Sequence, residues 1–167
     1  MVENKDWQFS IPTEVGLLTV EGNEFFITSA GFGSGTEKHA APTSKDTSST
    51  GLGNCALKHQ AEKQVKSYLE GKCMRFELPV MTRGSEFQQK VWSALEDIPS
   101  GQTRTYGEVA KLLGSSARAV GGACRRNPVA VIVPCHRVVA ANGPGGYGGK
   151  TAGHNMRIKS WLLEHEA

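Results

Sequence analysis

The chain has 167 residues, of which 38% are hydrophobic and 21% charged, and a formal net charge of +3. That size suits one domain or two small ones, and no apolar run is long enough to span a bilayer. The opening stretch MVENKDWQFS carries both charge signs and no apolar run of signal-peptide length, so an intracellular protein with no membrane partner is expected, cytoplasmic in a bacterium and nuclear in a eukaryote.

In the N-terminal half, WQFSIPTEVGLLTVEGNEFFITSAGF predicts two or three short strands. Val15, Leu17, Leu18 and Val20 supply the apolar positions, and Glu21-Gly22-Asn23 supplies a turn before Phe25-Phe26-Ile27. Gly33 to Gly53 is rich in Gly, Ser and Thr, has no periodicity and reads as a flexible loop. Asn54 is the expected cap of a helix with Leu57, Ala61, Val65 and Leu69 on one face, closed by Gly71. MRFELPV reads as one more strand or an extended linker. The expectation for residues 1–80 is a small α/β domain, an antiparallel sheet plus a helix.

The C-terminal half has sharper punctuation. Ser85 and Gln88 fit a capping box, and Phe87, Val91 and Leu95 repeat on one helical face that ends near DIPSG. Thr105 and Glu108 form a second box, opening TYGEVAKLLG, which Gly114 ends. Ser115 or Ser116 caps a third helix, SARAVGGACRRN, stopped by Asn127-Pro128. Two helices about a turn at Gly114-Ser115 have the layout of a helix-turn-helix. An apolar run, VAVIVP, follows and predicts a buried strand ending on Cys135, His136 and Arg137. Beyond a Gly-rich loop, MRIKSWLLEHE predicts a last helix with Ile158, Trp161, Leu162 and His165 on a common face. Residues 85–167 are expected to form a mainly α, winged-helix-like domain.

Charge is distributed unevenly. Residues 1–84 hold 9 Lys+Arg against 10 Asp+Glu, and residues 85–167 hold 10 against 6. Between Arg104 and Arg137, the basic residues Arg104, Lys111, Arg118, Arg125, Arg126 and Arg137 face only Glu108. Guanidinium forks suit phosphates. A solvated basic face accounts for the charge equally well.

The four cysteines, Cys55, Cys73, Cys124 and Cys135, include no C-x-x-C pair, so free thiols are expected rather than two disulfides or a zinc ribbon. Cys135 beside His136 is the pair that carries chemistry. A thiolate is the nucleophile, a neighbouring imidazole can take the thiol proton directly or through water, and a carboxylate can orient the imidazole. Glu164 and Glu166 are the nearby candidates. Adjacent strand residues point to opposite faces, so cooperation needs a backbone turn at Pro134-Cys135 or a bridging water. The competing reading is an inert core cysteine.

NPVAVIVPCHRVV resembles the active-site signature of the O6-alkylguanine-DNA alkyltransferases, also called methylated-DNA--protein-cysteine methyltransferases. The resemblance runs from SEFQQKVWSALEDIPSGQTRTYGEVAKLLG through ARAVGGACRRNP to KSWLLEHE, with only TEVGLLTV and the helix ending at Gly71 matching in the N-terminal half. It implies direct-reversal DNA repair on double-stranded DNA containing O6-alkylguanine, with O4-alkylthymine as a further substrate. The base is flipped out, and Cys135 takes the alkyl group irreversibly, once per molecule, with no cofactor.

By the same resemblance, Tyr106 gives its hydroxyl to the base, and Gly148 offers a backbone amide to the guanine oxygen. The carbonyls of Cys135 and Val138 accept from the exocyclic amine. His136 relays the proton, Glu166 holds His136, and Asn127 braces the turn before the active-site strand. Arg118 fills the place of the flipped base. Ala119, Gly122, Cys124, Arg125, Arg126 and Tyr147 join it on the DNA- and substrate-binding side. No metal and a monomeric protein are expected. The stretch Tyr147–Lys159, YGGKTAGHNMRIK, is longer than the family usually places there, which puts Gly148 in question. The alternative within the family is a binding-only protein that signals to other repair, but such relatives lack the cysteine. A cysteine hydrolase would need an oxyanion site that has no motif here. A plain helix-turn-helix regulator leaves P-C-H-R unexplained.

Overall fold

A computed structural model describes residues 6–33 and 55–167. Three strands, β1 (Trp7–Thr13), β2 (Gly16–Gly22) and β3 (Ile27–Phe32), form an antiparallel sheet in the order β1-β2-β3. Alternation sets its faces: Leu18 and Val20 are buried, whereas Leu17 and Glu21 are exposed. The turn falls at Asn23, whose side-chain oxygen accepts from the amides of Phe25 and Phe26, so β3 begins at Ile27 and Phe25 stays exposed.

Helix α1 (Ala56–Leu69) packs on this sheet through Leu57, Ala61, Val65 and Tyr68. Its cap is Cys55, without a side-chain bond; Asn54 and the Gly/Ser/Thr-rich segment after Gly33 lie outside the described residues. MRFELPV is extended and pairs only at Val80, so the linker reading holds. That linker ties the halves together: Ile27 N–H donates to Pro79 O at 2.8 Å, and Met81 N–H to Ile27 O at 2.9 Å. Farther along β3, Ala30 N–H donates to Pro128 O, and Ala130 N–H to Ala30 O. The outer edge of β3 is thus partly paired rather than left as a free template.

Helix α2 (Glu86–Glu96) begins with the Ser85/Gln88 capping box. Strand β4 (Arg104–Thr105) leads into α3 (Tyr106–Leu113) through the Thr105/Glu108 box. Gly114 ends α3 at φ 62°, and Ser116 caps α4 (Ala117–Arg125) by accepting from Ala119 N–H at 3.2 Å. This is the helix-turn-helix. Trp92 on α2 donates to the carbonyl of Ala123 at 2.9 Å and locks α4 in place.

The expected buried strand over 129–133 is buried but is not a strand. Val131 adopts φ 72°, the only such non-glycine among the described residues, and this left-handed step folds the segment back on itself. Val133 N–H then donates to Val129 O at 2.9 Å, and Cys135 N–H to Val133 O at 2.9 Å. A β-branched residue in that region costs about 1–3 kcal/mol, which the surrounding packing must offset. Cys135–Arg137 form a single 3-10 turn, followed by β5 (Val138–Val139), parallel to β4. Helix α5 (His154–Glu166) closes the fold, with Ile158 and Leu162 in the core and Trp161 stacked on His165. No helix among the described residues is long and apolar enough to cross a membrane.

Candidate active site

The 3-10 turn answers how a cysteine and an adjacent histidine can serve one site. The turn breaks strand alternation and buries both side chains, with Cys135 at 7% and His136 at 0% exposure. Asn127 sets the turn. Its Nδ2 donates to Val133 O at 2.8 Å, and its Oδ1 accepts from Val129 N–H at 3.0 Å. Burial pushes the Cys135 thiol up, while a hydrogen bond from Asn127 and the charge of Lys159 pull it back. The resting thiol therefore needs a base.

His136, the next residue in the turn, is the neighbouring imidazole. Its Nε2 faces Glu166 Oε1 at 2.8 Å. Burial alone would push the Glu166 carboxyl up, but hydrogen bonds from His136 and Arg137 and the Tyr68 hydroxyl outweigh it, holding Glu166 well below the usual carboxylate range. An ionised Glu166 requires Nε2 to carry the imidazole proton, which leaves Nδ1 as an acceptor. Nδ1 is buried and has no partner among the described residues. Burial pushes the His136 pKa down, so the ring rests neutral and able to accept a proton. Of the two carboxylates considered, Glu166 faces the histidine, and Glu164 is exposed.

Three residues of this centre are not evident from the sequence. Arg137, which there belongs to a basic cluster read as phosphate-facing or solvated, is instead 6% exposed. Its Nε donates to Glu166 Oε2 at 2.9 Å, its Nη2 to Oε1 at 2.8 Å and its Nη1 to Ile98 O at 2.6 Å. A buried carboxylate must be paired, and Arg137 is the pair. Tyr68, on α1, donates to Glu166 Oε1 at 2.7 Å. Lys159 is fully buried, and its ammonium donates to Val138 O at 2.6 Å and Gly146 O at 2.9 Å. Burial lowers the Lys159 pKa to about 8, against the raising effect of Cys135 and Cys124. The i, i+4 face of α5 signals Ile158 and Leu162, but nothing in it signals that the lysine between them turns inward.

Tyr106 opens α3, and its hydroxyl donates to Gly146 O at 3.2 Å, with Lys159 Nζ 5.7 Å from its ring. Gly145 must be glycine here, because it has φ 73° and a Cβ would lie 2.8 Å from the Tyr106 ring. Tyr147 buries its hydroxyl without a partner among the described residues. Gly148 is exposed at φ 56° beside Asn155, whose Nδ2 donates to Tyr147 O at 3.2 Å. The carbonyls of Val138 and Cys135 each hold one partner already, Lys159 Nζ and Val138 N–H, and each retains a second lone pair.

On α4, Arg118 is exposed at the second position and carries no ion pair among the described residues. A Cβ on Gly122 would meet nothing within 4 Å, and Ala119 is half-buried, so this face is open. Arg126 is exposed. Arg125 is also exposed but lies across Gly149, where a Cβ would collide with its guanidinium. Cys124 is buried at 9%, and burial followed by the neighbouring Cys135 pushes its thiol up to about 12, so it is a poor nucleophile. Among the described residues, no three His, Cys, Asp or Glu side chains gather as a metal site would need.

The family model for the 6-O-methylguanine DNA methyltransferase DNA-binding domain matches residues 86–167. A methylated-DNA--protein-cysteine methyltransferase of Methanosarcina acetivorans is 39% identical over 156 residues, covering 91% of this chain and 92% of that protein. One from Mycolicibacterium paratuberculosis is 39% identical over 144 residues, covering 84% and 82%. Among solved structures, the O6-methylguanine methyltransferase of Mycobacterium tuberculosis aligns with a TM-score of 0.75 at 35% identity, over 97% of this chain and 93% of that one. The Mycobacterium tuberculosis OGT solved in complex with DNA aligns at 0.74 and 37% identity, over 95% and 91%.

Proposed function

The chain belongs to the methylated-DNA--protein-cysteine methyltransferase family, and from that premise we propose that it repairs O6-alkylguanine in duplex DNA by a single, irreversible alkyl transfer to Cys135. One observation carries this reading: a buried thiol beside a neutral imidazole with an unoccupied acceptor nitrogen, backed by an ionised carboxylate. The division of labour that we propose gives residues 85–167 the DNA-binding and transfer roles and leaves residues 1–80 as the supporting domain.

His136 Nδ1 takes the Cys135 proton, through a water where the two do not meet. Glu166 stabilises the imidazolium that forms. Lys159, cationic below its pKa of about 8, opposes the cost of a thiolate in a buried site. The thiolate sulfur attacks the alkyl carbon. The S–C bond forms as the C–O6 bond breaks, and guanine leaves with the bonding pair. Tyr106 donates a hydrogen bond to the departing base where charge develops, and the guanine takes up its proton from water. The carbonyls of Cys135 and Val138 take the exocyclic amine through their second lone pairs, and Gly148 offers its amide to the oxygen. A thioether has no route back, so each molecule acts once.

Reaching that thiol requires an extrahelical base, since a stacked base cannot enter a buried pocket. Arg118, unpaired on the open face of α4, occupies the gap left in the stack. Arg126, Ala119 and Gly122 lie along the DNA backbone. Arg125, resting on Gly149, holds the pocket loop against α4, and Cys124 and Tyr147 line the pocket side. The test is stoichiometry. Methyl loss from a lesion-bearing duplex should stop when one lesion per protein molecule has reacted, and Cys135→Ser should bind the duplex without repairing it. Continued turnover would overturn the single-transfer mechanism.

A further inference from the structure

The catalytic carboxylate is held partly from outside the C-terminal half. Tyr68 sits on α1 and is fully buried. Its carbonyl faces His165 Nε2 at 2.6 Å, and its ring meets His165 edge-on with centroids 5.1 Å apart. Phe76 flanks the other part of the ring, also at 5.1 Å. The tyrosine is therefore fixed by contacts that do not depend on its hydroxyl. That hydroxyl points to Glu166 Oε1 at 2.7 Å.

The oxygen it chooses matters. Oε1 has three partners: Tyr68 Oη, His136 Nε2 and Arg137 Nη2. Oε2 has one, Arg137 Nε. The arginine fork alone would hold the carboxylate in plane, so the tyrosine is not needed to keep Glu166 ionised. What it changes is the charge left on the oxygen that faces the histidine. Burial, then the carboxylate, push the Tyr68 hydroxyl far above its ordinary range, so it is a donor at every working pH. A donor that never titrates draws a constant share of the charge on Oε1.

We propose that Tyr68 is a positioning residue for the transfer reaction, acting through Glu166: its hydroxyl fixes Oε1 and tempers the pull of that oxygen on the His136 ring. The helix that docks on the sheet is then part of the relay rather than an inert support. This rests on the function proposed above. The groups facing His136 are Glu166 and Lys159 from α5, Arg137 and Cys135 from its own turn, and Tyr68, which reaches it through the shared oxygen from α1. Only the last can be altered without changing a formal charge or the nucleophile.

The test uses the full chain carrying Tyr68→Phe, which keeps the ring and leaves Glu166 three hydrogen bonds. Single-turnover methyl transfer from a duplex with one O6-methylguanine is followed between about pH 5 and pH 9, the range over which an imidazole base titrates. With the hydroxyl gone, Oε1 holds an imidazolium more strongly, so His136 stays protonated to higher pH. The acid limb should shift upward by about half a pH unit or more, with transfer about threefold slower on that limb, little change above it, and unchanged DNA affinity. The His136 ring signal, titrated by NMR in the same variant, should move in the same direction. A second variant, Tyr68→Met, fills the space without a ring and should give the same shift. A slower reaction whose acid limb stays where it was would mean a packing role only and would overturn the proposal. If the unaltered protein transfers no methyl group, the proposed function itself fails. If it transfers normally and the variants match its pH profile, only the role of Tyr68 fails.

Discussion

Replacing Asn127 with alanine should damage stability and reactivity together, because one amide holds the whole turn that presents the thiol. Its two hydrogen bonds go to the backbone of Val129 and Val133, which are 0% and 1% exposed. Water does not reach groups so buried, so truncation strands the Val129 N–H, while Val133 O keeps only the bond from Cys135 N–H. The stranded N–H costs about 1–3 kcal/mol and the lost second bond at Val133 O about 0.5–1.5 kcal/mol, or about 1.5–4.5 kcal/mol together. A domain of this size is stable by only about 5–15 kcal/mol, so the loss is large. The thiol also loses the donor that pulls its pKa down. Urea unfolding gives the first quantity, and the pH dependence of single-turnover transfer gives the second. The rate should fall at neutral pH. A stability loss below about 1 kcal/mol with a normal rate would refute the bracing role of Asn127.

Arg137→Met should cost about 3–5 kcal/mol in urea unfolding, because it strands the buried Glu166 carboxylate, and a surface-like loss below about 1 kcal/mol would contradict the pairing. Glu166 is held below its ordinary value of 4.5; the stability it contributes is complete above that value and is lost as pH falls below it. Glu166→Gln should therefore flatten the acid side of a stability–pH curve, and an unchanged slope below about pH 4 would count against an ionised Glu166. Lys159 carries its charge below about 8 and loses it above, so transfer should decline on an alkaline limb near that pH, a limb absent from Lys159→Met. Arg118→Ala should slow repair of duplex far more than reaction with the free base, whereas equal slowing would remove it from the stack; DNA binding by the unaltered protein should weaken steeply as salt rises.

What was legible in the sequence was local. Ser85 with Gln88 and Thr105 with Glu108 are three residues apart, and both boxes form as their spacing demands. Gly114 ends its helix because a left-handed residue must stand there. The sheet, α1 and the helix-turn-helix follow from the same short-range rules. Asn127 lies six residues from Val133, which it braces, close enough for resemblance to suggest it. What was hidden is long-range. Tyr68 meets Glu166 across 98 positions, and Arg137 meets it across 29. A tyrosine at the end of an amphipathic helix and an arginine in a basic stretch look, in sequence, like packing and phosphate contact. Only the folded chain shows that both converge on one carboxylate. The run before Cys135 departs from the expected strand for a related reason. Val129, Val131, Ile132 and Val133 are β-branched and favour a strand, but the side chain of Asn127 and the left-handed Val131 turn the backbone instead.

The central claim is that the Cys135 sulfur is the acceptor. Equal amounts of the full chain and a duplex with one O6-methylguanine would be mixed, the intact protein weighed and its peptides mapped. One added methyl, located on Cys135 and absent from Cys124, with unmodified guanine left in the DNA, is the predicted result. A protein that binds the lesion yet gains no mass, or that carries its methyl on another residue, would contradict the account.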